Sequence, residues 1–161
     1  MSQVTNAEHV SQDVYRMLTK VFLLLDDCDR HLFNEYALSP RQFWALLYLD
    51  EHQGRSMVDM SRALLTNKSN ITAIVDHLEQ ASLARRTPDA HDRRVILITL
   101  TPEGRRLRDF VSEQHQRRMS ELIGTVGDGH LQILLDLLTR ISGNLEGYLE
   151  QINSPALTFP G

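Results

Sequence analysis

The stretch Val95-Ile96-Leu97-Ile98-Thr99-Leu100 alternates over a β-branched run and stops at Thr101-Pro102-Glu103. Alternation with period two marks a half-buried strand. A threonine followed by proline and an acid marks a helix start, with the threonine as N-cap and the proline where a missing N–H costs nothing. A strand needs a partner for its backbone polar groups. Leu83-Ala84-Arg85-Arg86-Thr87 supplies one, and Pro88 to Asp92 carries turn chemistry between the two. The chain is therefore constrained to a small hairpin that feeds directly into a helix.

The remainder reads as helix. From about Glu8 to Tyr36, Val10, Val14, Met17, Leu18, Val21, Leu24, Leu25, Cys28 and Leu32 follow a three-four spacing. Ser39-Pro40 opens a second helix carrying Phe43, Trp44, Leu46, Leu47 and Leu49, expected to end near His52-Gln53-Gly54 with the glycine as its stop. Ser56 to Asp59 fits a capping box for a short helix with Val58, Met60 and Leu64. After LLTNKSNIT, a second short helix from about Lys68 to Ala81 places Ile71, Ile74, Val75 and Leu78 on one side. Two short helices joined by a few residues suggest a helix-turn-helix. Beyond the hairpin, one helix runs to about Ile123, a glycine-rich break covers Gly124 to Gly129, and a Leu-rich helix follows from about His130 to Ile152.

Charge is distributed unevenly. The net charge is -4, yet Gly54 to Arg108 holds ten Lys/Arg against six Asp/Glu, a surplus of +4. The rest holds seven basic and fifteen acidic residues, or -8. This is the pattern of a chain whose middle alone faces a polyanion. The acidic flanks carry apolar stripes larger than a small module can cover, which predicts a second copy. One cysteine excludes an intramolecular disulfide framework, the N-terminus lacks signal-peptide character, and no apolar run is long enough to span a bilayer, Val21 to Leu25 for one meeting Asp26 and Asp27. A cytoplasmic protein without membrane partners is the expectation.

These residues, in this order, resemble the MarR family of winged helix-turn-helix regulators. Asp92-Arg93-Arg94, a strand, and then Leu100-Thr101-Pro102-Glu103-Gly104 are similar to the family's wing signature. ITAIVDHLEQASLARR, Ile71 to Arg86, is similar to its recognition helix entering the first wing strand. The resemblance spans roughly Glu8 to Ile152. It implies a mainly α fold with a small β-hairpin, a winged helix-turn-helix flanked by N- and C-terminal dimerisation helices. In residues, 37–104 would be the DNA-binding domain, 105–123 a linking helix, 1–36 and 124–152 the dimerisation helices and 153–161 a tail. The implied function is a homodimeric repressor on double-stranded DNA at a pseudo-palindromic operator, released by a small aromatic or phenolic ligand. No cofactor is implied.

Thr66, Asn67, Lys68, Ser69, Asn70 and Thr72 offer small polar or basic groups at a helix N-terminus, where phosphate is attracted. Further along, Ala73 can meet a thymine methyl and His77 can donate to a base or phosphate. The family more often has arginine at both, a departure that suggests a different operator or less base-specific contact. Ser82 stands where the family has a left-handed glycine. Arg94 at the hairpin tip suits a narrow minor groove, Arg93 a phosphate, and Asp92 a brace for either the arginines or the turn. Arg85 and Arg86 alternate along their strand, so at most one points toward DNA. A solvated helix face and an ordinary charged turn are the competing accounts of these residues.

The resemblance also implies a ligand site, with His31, Arg41, Trp44 and Tyr48 as candidates. Packing in the core or at an interface competes for the same residues and is the better account. Cys28 raises a thiol-based oxidant sensor as an alternative, opposed by Asp26, Asp27 and Asp29 around it. A protein-interaction module on the same fold, without DNA, is the alternative from another class. Seven scattered histidines lack zinc-site spacing. No phosphate-binding glycine loop or nucleophile elbow is present, so neither a metal site nor an enzyme is expected.

Overall fold

The computed structural model describes residues 6–89 and 92–153. His91, within the expected wing turn, and residues 154–161 of the expected tail lie outside the described residues. In chain order the elements are α1 (Asn6–Asn34), α2 (Pro40–Tyr48), β1 (Arg55–Ser56), α3 (Met57–Ala63), α4 (Lys68–Gln80), β2 (Ala84–Pro88), β3 (Ile96–Leu100), α5 (Pro102–Gly124) and α6 (Asp128–Asn153). The chain forms two compact units, one up to His115 and one from Gln116 onward. None of the described helices is long and apolar enough to cross a membrane.

The first unit holds the hydrophobic core. Phe33 from the last turn of α1 stacks on Phe43 of α2, with ring centroids 4.2 Å apart. Leu46, Leu49, Met60, Ile71, Val75, Leu78, Ile98, Leu100 and Val111 are buried around them. The sheet is antiparallel in the order β1-β3-β2, with Arg55 and Arg86 both registered on Ile98. The hairpin pair was legible in the sequence, whereas β1 was not. Two residues carry no alternation to read, and the free edge of β3 alone makes them a strand.

Local chemistry explains the helix starts. Ser39 Oγ accepts from the Gln42 N–H (3.3 Å) while Gln42 Oε1 accepts from the Ser39 N–H (2.7 Å), a reciprocal cap. Thr101 is the joint between wing and α5. Its Oγ1 accepts from the Gly104 N–H (3.0 Å) and donates to the Ser82 carbonyl (2.7 Å). A Cβ on Gly104 would lie 1.9 Å from the Leu83 carbonyl oxygen, so only glycine allows this approach.

The expected end of α2 requires correction. The helix stops at Tyr48, and Leu49 is extended at φ -91°, ψ 149°. Asp50 then takes over the backbone, its Oδ1 accepting from the N–H groups of His52 (2.7 Å) and Gln53 (2.6 Å). These two bonds, the Gln53 one foremost, hold the Asp50 carboxyl below its usual pKa. Gly54 is no helix stop. It is left-handed at φ +60°, and a Cβ there would lie 2.9 Å from the Leu97 Cβ.

The second unit contains the end of α5, a turn with left-handed Gly127 (φ +86°) and α6. No described residue of α6 is buried.

Candidate nucleic-acid interface

The interface is built on α3, α4 and the hairpin, all in the first unit. Ser56 caps α3, its Oγ accepting from the Asp59 N–H (3.1 Å) and donating to Asp59 Oδ2 (2.7 Å). The turn to α4 passes through Leu65, which is left-handed at φ +46° and 91% exposed. Asn67 caps α4, with Oδ1 accepting from the Asn70 N–H (2.9 Å). Ile71, Ile74, Val75 and Leu78 are buried, so the helix presents its opposite face outward.

That face carries Lys68, Ser69, Asn70, Ala73 and His77, all exposed. Thr66 and Thr72 are half-buried. The Thr72 hydroxyl donates to the Lys68 carbonyl (2.9 Å), so it serves the helix, as the Asn67 side chain serves the cap. Ser82 closes the helix in the left-handed conformation (φ +58°), its N–H donating to the Glu79 carbonyl (2.8 Å).

The wing turn is organised by two aspartates. Asp89 donates its N–H to the Val95 carbonyl and Val95 returns its own to the Asp92 carbonyl, both at 2.9 Å. Asp89 Oδ1 accepts from the Asp92 N–H (2.9 Å), and Asp92 Oδ1 accepts from the Arg94 N–H (3.0 Å). Of its two expected tasks, Asp92 therefore performs the bracing of the turn. Arg93 and Arg94 stand exposed at the tip.

Arg85 and Arg86 part company as alternation requires. Arg85 Nε donates to Thr99 Oγ1 (3.2 Å). Arg86 turns to α4 and pairs with Asp76 (2.7 Å) and Glu79. Helical spacing alone does not show that Asp76 has a partner on β2.

Three of the four ligand candidates come together. Arg41, Trp44 and Tyr48 line an open cavity of about 370 Å³ with Ala63, Leu64 and Leu65. His31 is not among them. It is 79% exposed on the last turn of α1, with Nε2 3.8 Å from Asp27 Oδ2. Arg55 lies 5.3 Å over the Tyr48 ring, a cation–π contact absent from the sequence reading. Also missed were Asp29 and His115, 3.0 Å apart and 13% and 16% exposed. The His115 ring packs against Phe33, Phe43 and Trp44. Burial raises the Asp29 pKa, and His115 opposes that rise. Cys28, next to Asp29, is a half-buried free thiol.

A family model described as MarR family matches residues 38–95. The HTH-type transcriptional regulator PecS of Dickeya dadantii (strain 3937) is 34% identical over 131 residues, covering 80% of this chain and 79% of PecS. Among solved structures, AbsC, a MarR family transcriptional regulator from Streptomyces coelicolor, superposes with a TM-score of 0.77 at 25% identity, over 91% of this chain and 99% of AbsC. The transcriptional repressor CouR, bound to a 23-mer DNA duplex, superposes with a TM-score of 0.70 at 28% identity, over 88% and 99% of the two chains. CouR from Rhodococcus jostii RHA1 bound to p-coumaroyl-CoA gives a TM-score of 0.70 at 26% identity, over 87% and 95%.

Proposed function

The chain belongs to the MarR family of DNA-binding transcriptional regulators, which are not enzymes, and on that premise we propose that it is a homodimeric repressor released from its operator by a small aromatic ligand. The observation that carries the DNA side is the exposure of two sets of groups on one compact unit: the Lys68–Asn70 turn and the Arg93–Arg94 tip. Lys68, Ser69 and Asn70 enter the major groove with the N-terminus of α4, where free N–H groups favour phosphate. Ala73 and His77 follow along the groove. Arg94 reaches the flanking minor groove and Arg93 a phosphate.

Two copies place two such helices about one helical turn apart on a pseudo-palindrome. The apolar residues left exposed support the pairing: Val10, Val14, Met17, Val21 and Phe22 on α1, and Leu134, Leu138, Leu145 and Tyr148 on α6. A second copy covers these faces, with residues 1–36 and 124–152 as dimerisation helices and 105–123 as the link.

For the ligand, the cavity of Arg41, Trp44 and Tyr48 combines aromatic walls with a guanidinium, the chemistry that holds an aromatic carboxylate. CouR, a repressor seen both on DNA and with an aromatic acyl thioester, supports repression and ligand response.

Fluorescence anisotropy with the DNA upstream of the protein's own gene tests the reading. Arg94→Ala is expected to weaken binding about tenfold and flatten the salt dependence by about one. Salt-insensitive binding, or unchanged affinity in Arg94→Ala, overturns it. Aromatic carboxylic acids are expected to release wild-type protein at concentrations that leave Arg41→Ala bound.

A further inference from the structure

The pairing of Arg86 with α4 has a consequence for the wing. Asp76 and Glu79 are three apart on α4 and share a face. Between them they take three hydrogen bonds from Arg86. The Arg86 N–H donates to Glu79 Oε1 (2.8 Å), one guanidinium nitrogen to Glu79 Oε2 and the other to Asp76 Oδ1 (2.7 Å). Arg86 lies in β2, an edge strand of the sheet paired among the described residues with β3. The same strand leads to the Asp89–Asp92 turn and the two exposed arginines.

Charge makes this arrangement informative. Two carboxylates on a recognition helix oppose a polyanion, and one guanidinium neutralises only one of them. Asp76 keeps 48% of its side chain exposed. Phosphate affinity alone would select against both acids. A planar guanidinium held at both ends fixes direction as well as distance. We propose that Arg86 is a positioning residue: it makes no DNA contact, and with Asp76 and Glu79 it sets the angle between wing and recognition helix at which Arg94 meets the groove. This rests on the reading of Arg94 as a DNA contact.

The experiment uses the full chain carrying Asp76→Asn and Glu79→Gln together, near-isosteric changes that remove two negative charges and release Arg86. Simple electrostatics would tighten binding to every duplex. The clamp predicts the opposite sign for the operator: random duplex is bound more tightly, while the operator-to-random ratio falls about tenfold. In this background the penalty of Arg94→Ala shrinks from about tenfold to less than about twofold. Arg86→Lys keeps the charge, but its ammonium cannot span both acids, and it is expected to show the same loss of coupling. A ratio that rises, or an Arg94→Ala penalty equal in all backgrounds, overturns the clamp while leaving Arg94 on DNA. An Arg94→Ala penalty absent in the wild-type background overturns both.

Discussion

The helix α4 of the proposed DNA interface and the C-terminal helix α6 face opposite situations. In thirteen residues α4 buries Ile71, Ile74, Val75 and Leu78 within its own unit. In twenty-six, α6 buries none of its described residues, although Leu134, Leu135, Leu138, Leu145 and Leu149 recur along it. An apolar stripe is thus a demand for a surface, and it does not say whose surface answers. For α4 the chain itself answers, which fixes its polar face outward. For α6 the answer proposed above is a second copy.

The sharpest way to break this contrast is to truncate one side chain in each setting. Phe43→Ala removes a fully buried ring stacked on Phe33 and is expected to cost about 3–5 kcal/mol at any protein concentration. Leu138→Ala is expected to cost less than about 0.5 kcal/mol at concentrations where the protein is monomeric, and more where it associates. Urea unfolding at two protein concentrations reads both. Concentration-independent loss in Leu138→Ala would remove the contrast.

A smaller effect tests how far α4 depends on its own cap. Asn67→Ala leaves the Asn70 N–H without its acceptor and is expected to cost about 1 kcal/mol. Operator affinity should fall too, because the same turn presents Lys68 and Ser69. A thermal melt with a parallel anisotropy titration separates the two effects. Loss of affinity without loss of stability would mean that the Asn67 side chain leaves the cap for DNA.

The smallest expected effect is acid-dependent. Asp50 has a lowered pKa in the folded chain because backbone N–H groups solvate its anion. Its contribution is complete above the usual value of 3.8 and is lost as pH falls through the lower folded value. Asp50→Asn keeps an acceptor oxygen without the charge. Its stability should be flatter than that of wild type across that acid window, and identical slopes would show that the turn gains nothing from the anion.

The legible part of the molecule was encoded over a few residues. Ser39 and Ser56 are caps because a side-chain oxygen and the N–H groups it serves lie within one turn; the same role of Asn67, read as a DNA contact, came only with the structure. The wing was legible from alternation, turn residues and Thr101-Pro102 together. The left-handed conformation of Ser82 was legible through the resemblance, which places a glycine there. The reading weakened where partners were distant in sequence. Nothing near Asp29 announces His115, 86 residues away. His31 shared a helix end with true core residues, and only its direction, toward Asp27 and solvent, separated it from the cavity of Arg41, Trp44 and Tyr48. The extent of α2 was overestimated because Gly54 looked like a stop, when Asp50 had already captured the chain.

The sequence by itself determined the order of the helices and the hairpin, the polar face of α4, the charged tip of the wing and the family to which the chain belongs. Each is a periodic or short-range property, which burial and capping impose on neighbouring residues. Only the tertiary structure decided the partners: Arg86 on Asp76 and Glu79, Asp92 on the turn backbone, Arg55 over Tyr48, Gly104 against Leu83. Alternation says that two successive arginines point in opposite directions. What waits in each direction is set by how strand and helix pack.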